Sequence, residues 1–130
     1  MKSPSHYIDH MNGTFGDANA AHLFVDLAAA PIATVVSLGV FEPGCKVVDV
    51  KMVAAALGAS TTLALGYRPV GGSAVPAAFL AAASSASAGT RRSDAAPIEF
   101  DVKTEIILTI AGAAATGRVD VVIGNVFKGK

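Results

Sequence analysis

The chain has 130 residues, with 10 basic and 10 acidic side chains, 52% hydrophobic residues and 6% aromatic residues. This length suits one domain with a single core, and the neutral charge balance argues against a nucleic-acid-binding protein, which usually carries a basic excess. The apolar content argues against disorder, and the single cysteine, Cys45, rules out an internal disulfide framework and any zinc site built on several cysteines.

The first part of the chain, residues 1–19, shows no apolar periodicity and is predicted to form an extended N-terminal arm. The remaining residues, 20–130, are predicted to form one domain. The polar start lacks the apolar stretch and the cleavage site of a secretory signal, and no uncharged window is both long and apolar enough for a membrane span. We therefore expect a protein made in the cytoplasm, with no membrane partner.

After the arm, apolar residues recur at every second position between turn signals, a pattern that predicts short β-strands. The stripes expected to face a core are Leu23/Val25/Leu27, Val36/Leu38/Val40, Val48/Val50/Met52, Thr61/Leu63/Leu65/Tyr67, Ile98/Phe100/Val102, Ile106/Leu108/Ile110 and Val119/Val121/Ile123. Asp49 and Lys51 share the opposite face of their strand and are expected to meet solvent or a polar partner.

One segment, residues 77–88, is rich in alanine and is predicted to form a short helix that stops at Gly89. Together with about seven short strands, this pattern predicts an all-β fold, a jelly-roll-like β-sandwich over residues 20–130. The two sheets would bury their aliphatic stripes against each other, and the helix would cap one open end.

Several histidines and nucleophiles could carry chemistry, but each has a simpler structural interpretation. His6 and His10, with Asp9 between them, have the spacing of two metal ligands on a helix, but a third strong ligand is missing nearby. His22 lies opposite an apolar stripe, which is typical of a partly exposed structural histidine. Cys45 would need a histidine partner in space to act as a nucleophile, and a small apolar residue is the simpler interpretation.

The loop and charge motifs are equally incomplete. Residues 71–75 resemble a nucleophile elbow around Ser73, but Val75 stands where the motif needs its last glycine, and residues 58–61 lack the lysine of a phosphate-binding loop.

Two clusters of charged residues remain. Glu99 and Asp101, followed by Lys103, could form a sugar-cleaving pair, although a solvated sheet face is commoner. Arg91 and Arg92, with Asp94, could make an ion pair between subunits or contact an acidic surface. We therefore predict that the protein is not an enzyme, with no catalytic, cofactor-binding or metal-binding residues and no cofactor.

The order of several short segments is similar to that of a known family. These segments are residues 12–20, 47–50, 56–63, 78–84, 86–89, 96–100, 107–109 and 112–117. Taken together they resemble small virion structural proteins of tailed bacteriophages, of the head decoration (cement) type. The resemblance spans about residues 12–127, and the family carries no catalytic motif whose residues could be transferred.

The resemblance implies a protein that binds the outer surface of the phage head and stabilises it. The implied partners are the major capsid protein and further copies of the chain, as a homotrimer at local three-fold positions, without nucleic acid or a membrane. The implied location is the virion, at the capsid surface, after synthesis in the host cytoplasm. The arm of residues 1–19 is hypothesised to become ordered on the shell.

Three alternatives remain open. A tail or fibre-attachment module of the virion could share the same sandwich and would assemble as a ring. A host-surface carbohydrate-binding module would need exposed aromatic rings beside acidic or amide side chains. A small hydrolase would have to use Ser73, Cys45 or His22.

Overall fold

The computed structural model describes residues 2–3, 18–85, 87–93 and 96–127. Within these ranges the chain forms strands and no helix. A helix able to cross a lipid bilayer is accordingly absent from the described residues. The strands are β1 (Ala18–Ala30), β2 (Val35–Phe41), β3 (Cys45–Ala54), β4 (Thr62–Pro69), β5 (Val75–Ser84), β6 (Gly89–Arg92), β7 (Ile98–Glu99), β8 (Thr104–Ala111) and β9 (Ala115–Phe127).

The strands form two antiparallel sheets. The first sheet has the order β1-β9-β3-β6, with β7 also paired to β3, and the second has the order β2-β8-β4-β5. Strands β6 and β7 pair with different parts of β3, so they form two short pieces of one sheet edge. This architecture confirms the predicted all-β sandwich.

The core lies between the two sheets and follows the predicted alternation closely in four segments. The stripes of β1, β4, β8 and β9 all turn inward, because every second residue of a strand faces the same side. The buried members of these stripes are Leu23, Val25, Leu27, Thr61, Leu63, Leu65, Ile106, Leu108, Ile110, Val119, Val121 and Ile123. Tyr67 is partly buried and packs against this cluster.

Two predicted stripes are interrupted by β-bulges. In β3 the register shifts between Val47 and Asp49, so Val47 turns inward and Val48 is 44% exposed, contrary to the prediction that Val48 shares a face with Val50. In β2 a shift between Ser37 and Gly39 has the same effect, leaving Val40 half-buried while Phe41 enters the core. An extra residue in one strand reverses the faces of all residues that follow, which a strict period of two does not anticipate.

The predicted strand over residues 97–102 is much shorter in the structure. Strand β7 contains two residues, and Phe100 is buried beyond its end while Val102 is 52% exposed. The Phe100 N–H donates to the Cys45 carbonyl at 2.9 Å, a bond that holds this segment against the start of β3 without extending the strand.

The predicted helix over residues 77–88 is also corrected, because residues 75–84 form strand β5. Strand β5 pairs with β4 through two register shifts, and these let the neighbours Phe79 and Leu80 both be buried. Alanine has the highest helix propensity, but intrinsic propensity is a small free-energy term, and the pairing of this segment with the apolar strand β4 outweighs it here.

Most of the predicted arm, residues 1–19, lies outside the described residues, so its extended form and the domain boundary at residue 20 stay predictions. Two arm residues are described: Lys2 forms a parallel bridge with Ser37 at the edge of β2, and the Ser3 N–H donates to the Ser37 carbonyl at 3.0 Å. The Ser3 side chain is buried. At the other end of the predicted arm, strand β1 begins at Ala18.

We expect Gly66→Ala to destabilise the fold by about 2–3 kcal/mol, measured by urea unfolding, because a Cβ at Gly66 would overlap the Val75 carbonyl of β5. The matched control is Gly89→Ala, where no described atom lies within 4 Å of the added carbon. That variant should change stability by less than about 0.5 kcal/mol. Equal stability of the two variants would contradict the close β4–β5 approach.

Candidate functional site

The three residues proposed for hydrolase chemistry lie in different parts of the sandwich. His22 is on the outer face of the first sheet, where its Nε2 lies 2.8 Å from Asp120 Oδ1. Ser73 is exposed in the connection between β4 and β5, and Cys45 is buried at the start of β3. This arrangement does not bring a nucleophile to a base.

The carboxylate pair is separated as well. Glu99 is in β7 opposite Lys46, whereas Asp101 follows the end of that strand. Lys103 lies 3.8 Å from Glu42 across the surface. Among the described residues, no group of three or more His, Cys, Asp or Glu side chains is placed to hold a metal ion. His6, Asp9 and His10 lie outside the described residues.

The segment of residues 58–61 serves the fold. Thr61 is buried, and its Oγ1 donates to the Gly58 carbonyl at 2.9 Å and lies 2.7 Å from Ser85 Oγ. These contacts hold the turn before β4 against the end of β5, so the turn is not arranged to cradle a phosphate.

The two neighbouring arginines have different roles. Arg91 points between the sheets, where its Nη1 donates to the Leu63 carbonyl of β4 at 3.2 Å and its Nη2 donates to the Ala81 carbonyl of β5. It therefore links β6 of the first sheet to the second sheet beside a cleft of about 80 Å³. Arg92 faces outward and lies 3.5 Å from Asp49. Asp94 is outside the described residues, so an ion pair between subunits and a contact with an acidic surface both stay hypotheses for this segment.

The outer face of the first sheet carries most of the organised surface charge. We call it the charged face, and its members are His22, Phe24, Asp26, Asp49, Lys51, Val53, Arg92, Arg118, Asp120 and Val122. Three carboxylates and three permanent cations stand on it beside His22, so the face is close to neutral while remaining strongly polar. The expected exposure of Asp49 is confirmed, and Lys51 is half-buried.

Arg118 is at the centre of a network on this face. Its Nε donates to Asp120 at 3.2 Å, its Nη1 donates to Asp26 at 3.4 Å, and its guanidinium carbon lies 4.9 Å from the centre of the Phe24 ring. Exposed pairs of this kind contribute about 0–1 kcal/mol each to stability. The network fixes the directions of side chains on the surface more than it stabilises the fold.

Sequence analysis did not find this network, because its members are far apart in the chain. His22 and Asp120 are separated by 98 positions and meet because β1 and β9 pair. The sequence does contain one signal for this face, because the residues that alternate with each core stripe must point outward. In β1 these outward residues are His22, Phe24 and Asp26.

The outer face of the second sheet is more enclosed. Ile107 lies between the core residues Ile106 and Leu108 and so points away from the core, yet it is only 1% exposed. Beside it, Arg68 donates to Glu105 Oε2 at 2.8 Å. This part of the second sheet is therefore covered, whereas most residues of β5 at the edge of the same sheet are exposed.

The four sheet edges differ in their ability to accept another strand. β6 and β7 are short, with 4 and 2 residues. β5 contains Pro76 and two register shifts, and β2 contains a bulge and holds Ser3. Short strands, proline, bulges and covering segments all hinder strand addition. β1 has 13 residues with regular register from Ala18 to Leu27, and among the described strands it pairs on one side only, with β9.

No protein-family model and no curated protein matches this sequence, but solved structures share its fold. A chain in the capsid of Ralstonia phage GP4 has a TM-score of 0.78 and 18% identity, over 100% of this chain and 98% of that chain. A chain in the acidic stable capsid of Helicobacter pylori bacteriophage KHP30 has a TM-score of 0.67 and 14% identity, over 89% of this chain and 92% of that chain. A chain in the capsid asymmetric unit of cyanophage Pam1 has a TM-score of 0.61 and 19% identity, over 95% of this chain and 94% of that chain.

We predict that the Cys45 thiol is inert at neutral pH, because burial raises its pKa to about 11 from the ordinary 9.0. At pH 8 an aromatic disulfide reagent should label the native chain at least about 100-fold more slowly than the urea-unfolded chain, as two pKa units imply. The folded chain binds this proton more tightly, so the contribution of Cys45 to stability falls between pH 9 and 11, and Cys45→Ala should remove that fall. Rapid native labelling would contradict the burial.

Proposed function

We propose that this protein is a structural component of a tailed-phage virion, a decoration (cement) protein that binds the outer surface of the head and stabilises it. The main support is the fold likeness over the whole chain, since a TM-score of 0.78 extends over 100% of this chain and 98% of a chain from a phage capsid. Two further capsid structures contain chains of the same fold and similar length. The proposed location is the capsid surface, reached after synthesis in the host cytoplasm.

The strand order supports the jelly-roll part of the proposal. If β6 and β7 are counted as one edge, the sheets have the orders β1-β9-β3-β6/7 and β2-β8-β4-β5. The chain crosses from one sheet to the other after β1, β2 and β3 and again after β5, β7 and β8. Two four-stranded sheets connected in this way are expected of a jelly roll, an architecture common in viral capsid and lectin domains.

A non-enzymatic role is part of the proposal. The candidate nucleophiles Ser73 and Cys45 lie apart from His22, and the carboxylates Glu99 and Asp101 do not share a strand. A protein that reinforces a shell needs a rigid core and a surface that fits the shell. The single buried core and the ordered charged face are the features that support this proposal.

The proposed partner on the shell is the major capsid protein, met through the charged face. Three of the four sheet edges hinder strand addition, so this sandwich is poorly suited to building a continuous lattice from its own edges. An accessory protein needs one docking surface, and the charged face offers polar groups already fixed in direction by Arg118, Asp120 and Asp26. Near-neutral charge on that face also limits repulsion between neighbouring copies.

The alternatives have weaker support. A tail or fibre-attachment module would use the same fold, and the location in the particle separates it from a head protein. A carbohydrate-binding module would use exposed aromatic rings, but the Arg118 guanidinium lies over Phe24, and Tyr67 packs with Phe79 and Phe100 in the core. The homotrimer stays a prediction that the mass of the purified protein tests.

We expect the purified protein to bind saturably to heads of its own phage that were assembled without it, and to raise the temperature at which those heads open. The reason is that a rigid protein bound across capsid subunits opposes their separation. Cryo-electron microscopy should then show it on the outer surface. Heads that already carry the protein are the control, and binding to tails instead of heads would refute the decoration role.

The arm hypothesis predicts that a chain lacking residues 1–17 binds such heads at least about 10-fold more weakly, equivalent to about 1.4 kcal/mol. The truncation ends before β1. The control is Ser3→Pro, which removes the Ser3 N–H bond to the Ser37 carbonyl and the Ser3 Oγ bond to the Leu38 carbonyl, and so reports the effect of losing these contacts within the chain. The affinity of the truncated chain and of Ser3→Pro for heads is measured by binding of fluorescently labelled protein. Equal occupancy by truncated and full-length chains would remove the arm from the interface.

A further inference from the structure

The edge strand β1 has the features of a strand that pairs with another strand. It is 13 residues long, its register with β9 is regular over the ten residues from Ala18 to Leu27 and shifts only after Leu27, and it contains no proline or lysine. The edges of the other strands are short, bulged, proline-containing or bridged by Ser3. An edge left this regular would promote uncontrolled association unless a specific partner covers it.

We propose that β1 of one copy pairs antiparallel with β1 of a second copy, around a two-fold axis that passes through Phe24. The other edges of the sandwich hinder strand addition, so the edge best able to receive β1 is another β1. Two first sheets would then join into one continuous sheet across the dimer, with both second sheets on the same side. Two-fold pairing satisfies both edges at once and leaves no β1 edge for further growth.

The position of the axis follows from the sequence of β1. Phe24 is the middle residue of Ala18–Ala30, so a two-fold at Phe24 pairs residues 21–27 with their copies. All of these residues lie in the regular part of β1, before the register shift between Leu27 and Ala30. On the outer face this register puts His22 opposite Asp26 of the second copy, and Asp26 opposite His22, a polar and charge-complementary pair on each side of the two Phe24 rings. Cross-strand pairs of these types stabilise antiparallel sheets.

The inner face is equally self-complementary in this register. Leu23 comes opposite Val25 of the second copy and Ala21 comes opposite Leu27, and all four are buried apolar residues in the single chain. A shift of the axis by one residue, to Leu23 or Val25, would put Asp26 opposite Ala20 or Phe24 and so remove its pairing with His22. A shift by two residues to Asp26 would put two carboxylates opposite each other, and a shift to His22 would pair the Phe24 ring with Ala20. The register at Phe24 is therefore favoured over its neighbours.

This contact gives a dimer and so departs from the predicted trimer. It does not depend on the proposed capsid role, because it concerns copies of this chain in solution. Light scattering of the full-length protein should give twice the chain mass of 13.0 kDa. A mass of one or of three chains at about 100 µM, well above a micromolar dissociation constant, would overturn the proposal.

Charge substitution at the axis tests the register. Because residue 24 faces itself, Phe24→Lys and Phe24→Glu should each give monomers through like-charge repulsion, whereas an equimolar mixture should recover the dimer. The matched controls are Val122→Lys and Val122→Glu, on the same face but in the central strand β9, where Val122 is 38% exposed. They should leave the dimer mass unchanged. Dimers of both single Phe24 variants, or a mixture that stays monomeric, would refute the axis.

A covalent test does not depend on how well the charged variants fold. In an antiparallel pair, opposed Cα atoms are about 4.5–5.5 Å apart, within the range that a disulfide bridges. Mild oxidation of Phe24→Cys should therefore give a cross-linked dimer on a non-reducing gel, while Val122→Cys should remain a single chain. Equal cross-linking of the two variants, or none at residue 24, would also refute the two-fold pairing.

Discussion

Burial of one aliphatic face of each sheet against the other is the interaction on which the rest of this protein depends. It sets the direction of every second side chain, because a strand that buries Leu23 and Val25 must turn His22, Phe24 and Asp26 outward. The charged face is thus a consequence of core formation. The pairing of β1 with β9 then brings Arg118 and Asp120 to the same place.

Sequence periodicity was sufficient for the all-β class and for four core stripes, since burial is strong and alternation in those strands is unbroken. Periodicity did not predict the features that depend on contacts between distant parts of the chain. The bulge at Val48 depends on how β3 meets β9, and strand β5 forms because β4 is available beside an alanine-rich segment. The network around Arg118 was not predicted, because it joins residues from opposite ends of the sequence.

The fold also decides which side chains come together on the surface. Residues that could have carried chemistry are dispersed by the fold, whereas residues of ordinary character, such as Phe24 and Asp26, are brought into an ordered surface. In a protein whose candidate catalytic residues are dispersed, the outer faces of the sheets and the edge strands give the most information about function. Likeness to phage capsid chains at less than 20% identity fits that view, because a sandwich can keep its core pattern while its surface changes.

The pairing of the first and last strands has a consequence for biosynthesis. Strand β9 lies between β1 and β3, so the first sheet lacks its central member until residues 115–127 have left the ribosome. Nascent chains therefore cannot complete this sheet before that point, and folding waits for contacts between distant parts of the sequence, which are slow to form. Translation products truncated before β9 should therefore be recognised by cellular proteases as unfolded.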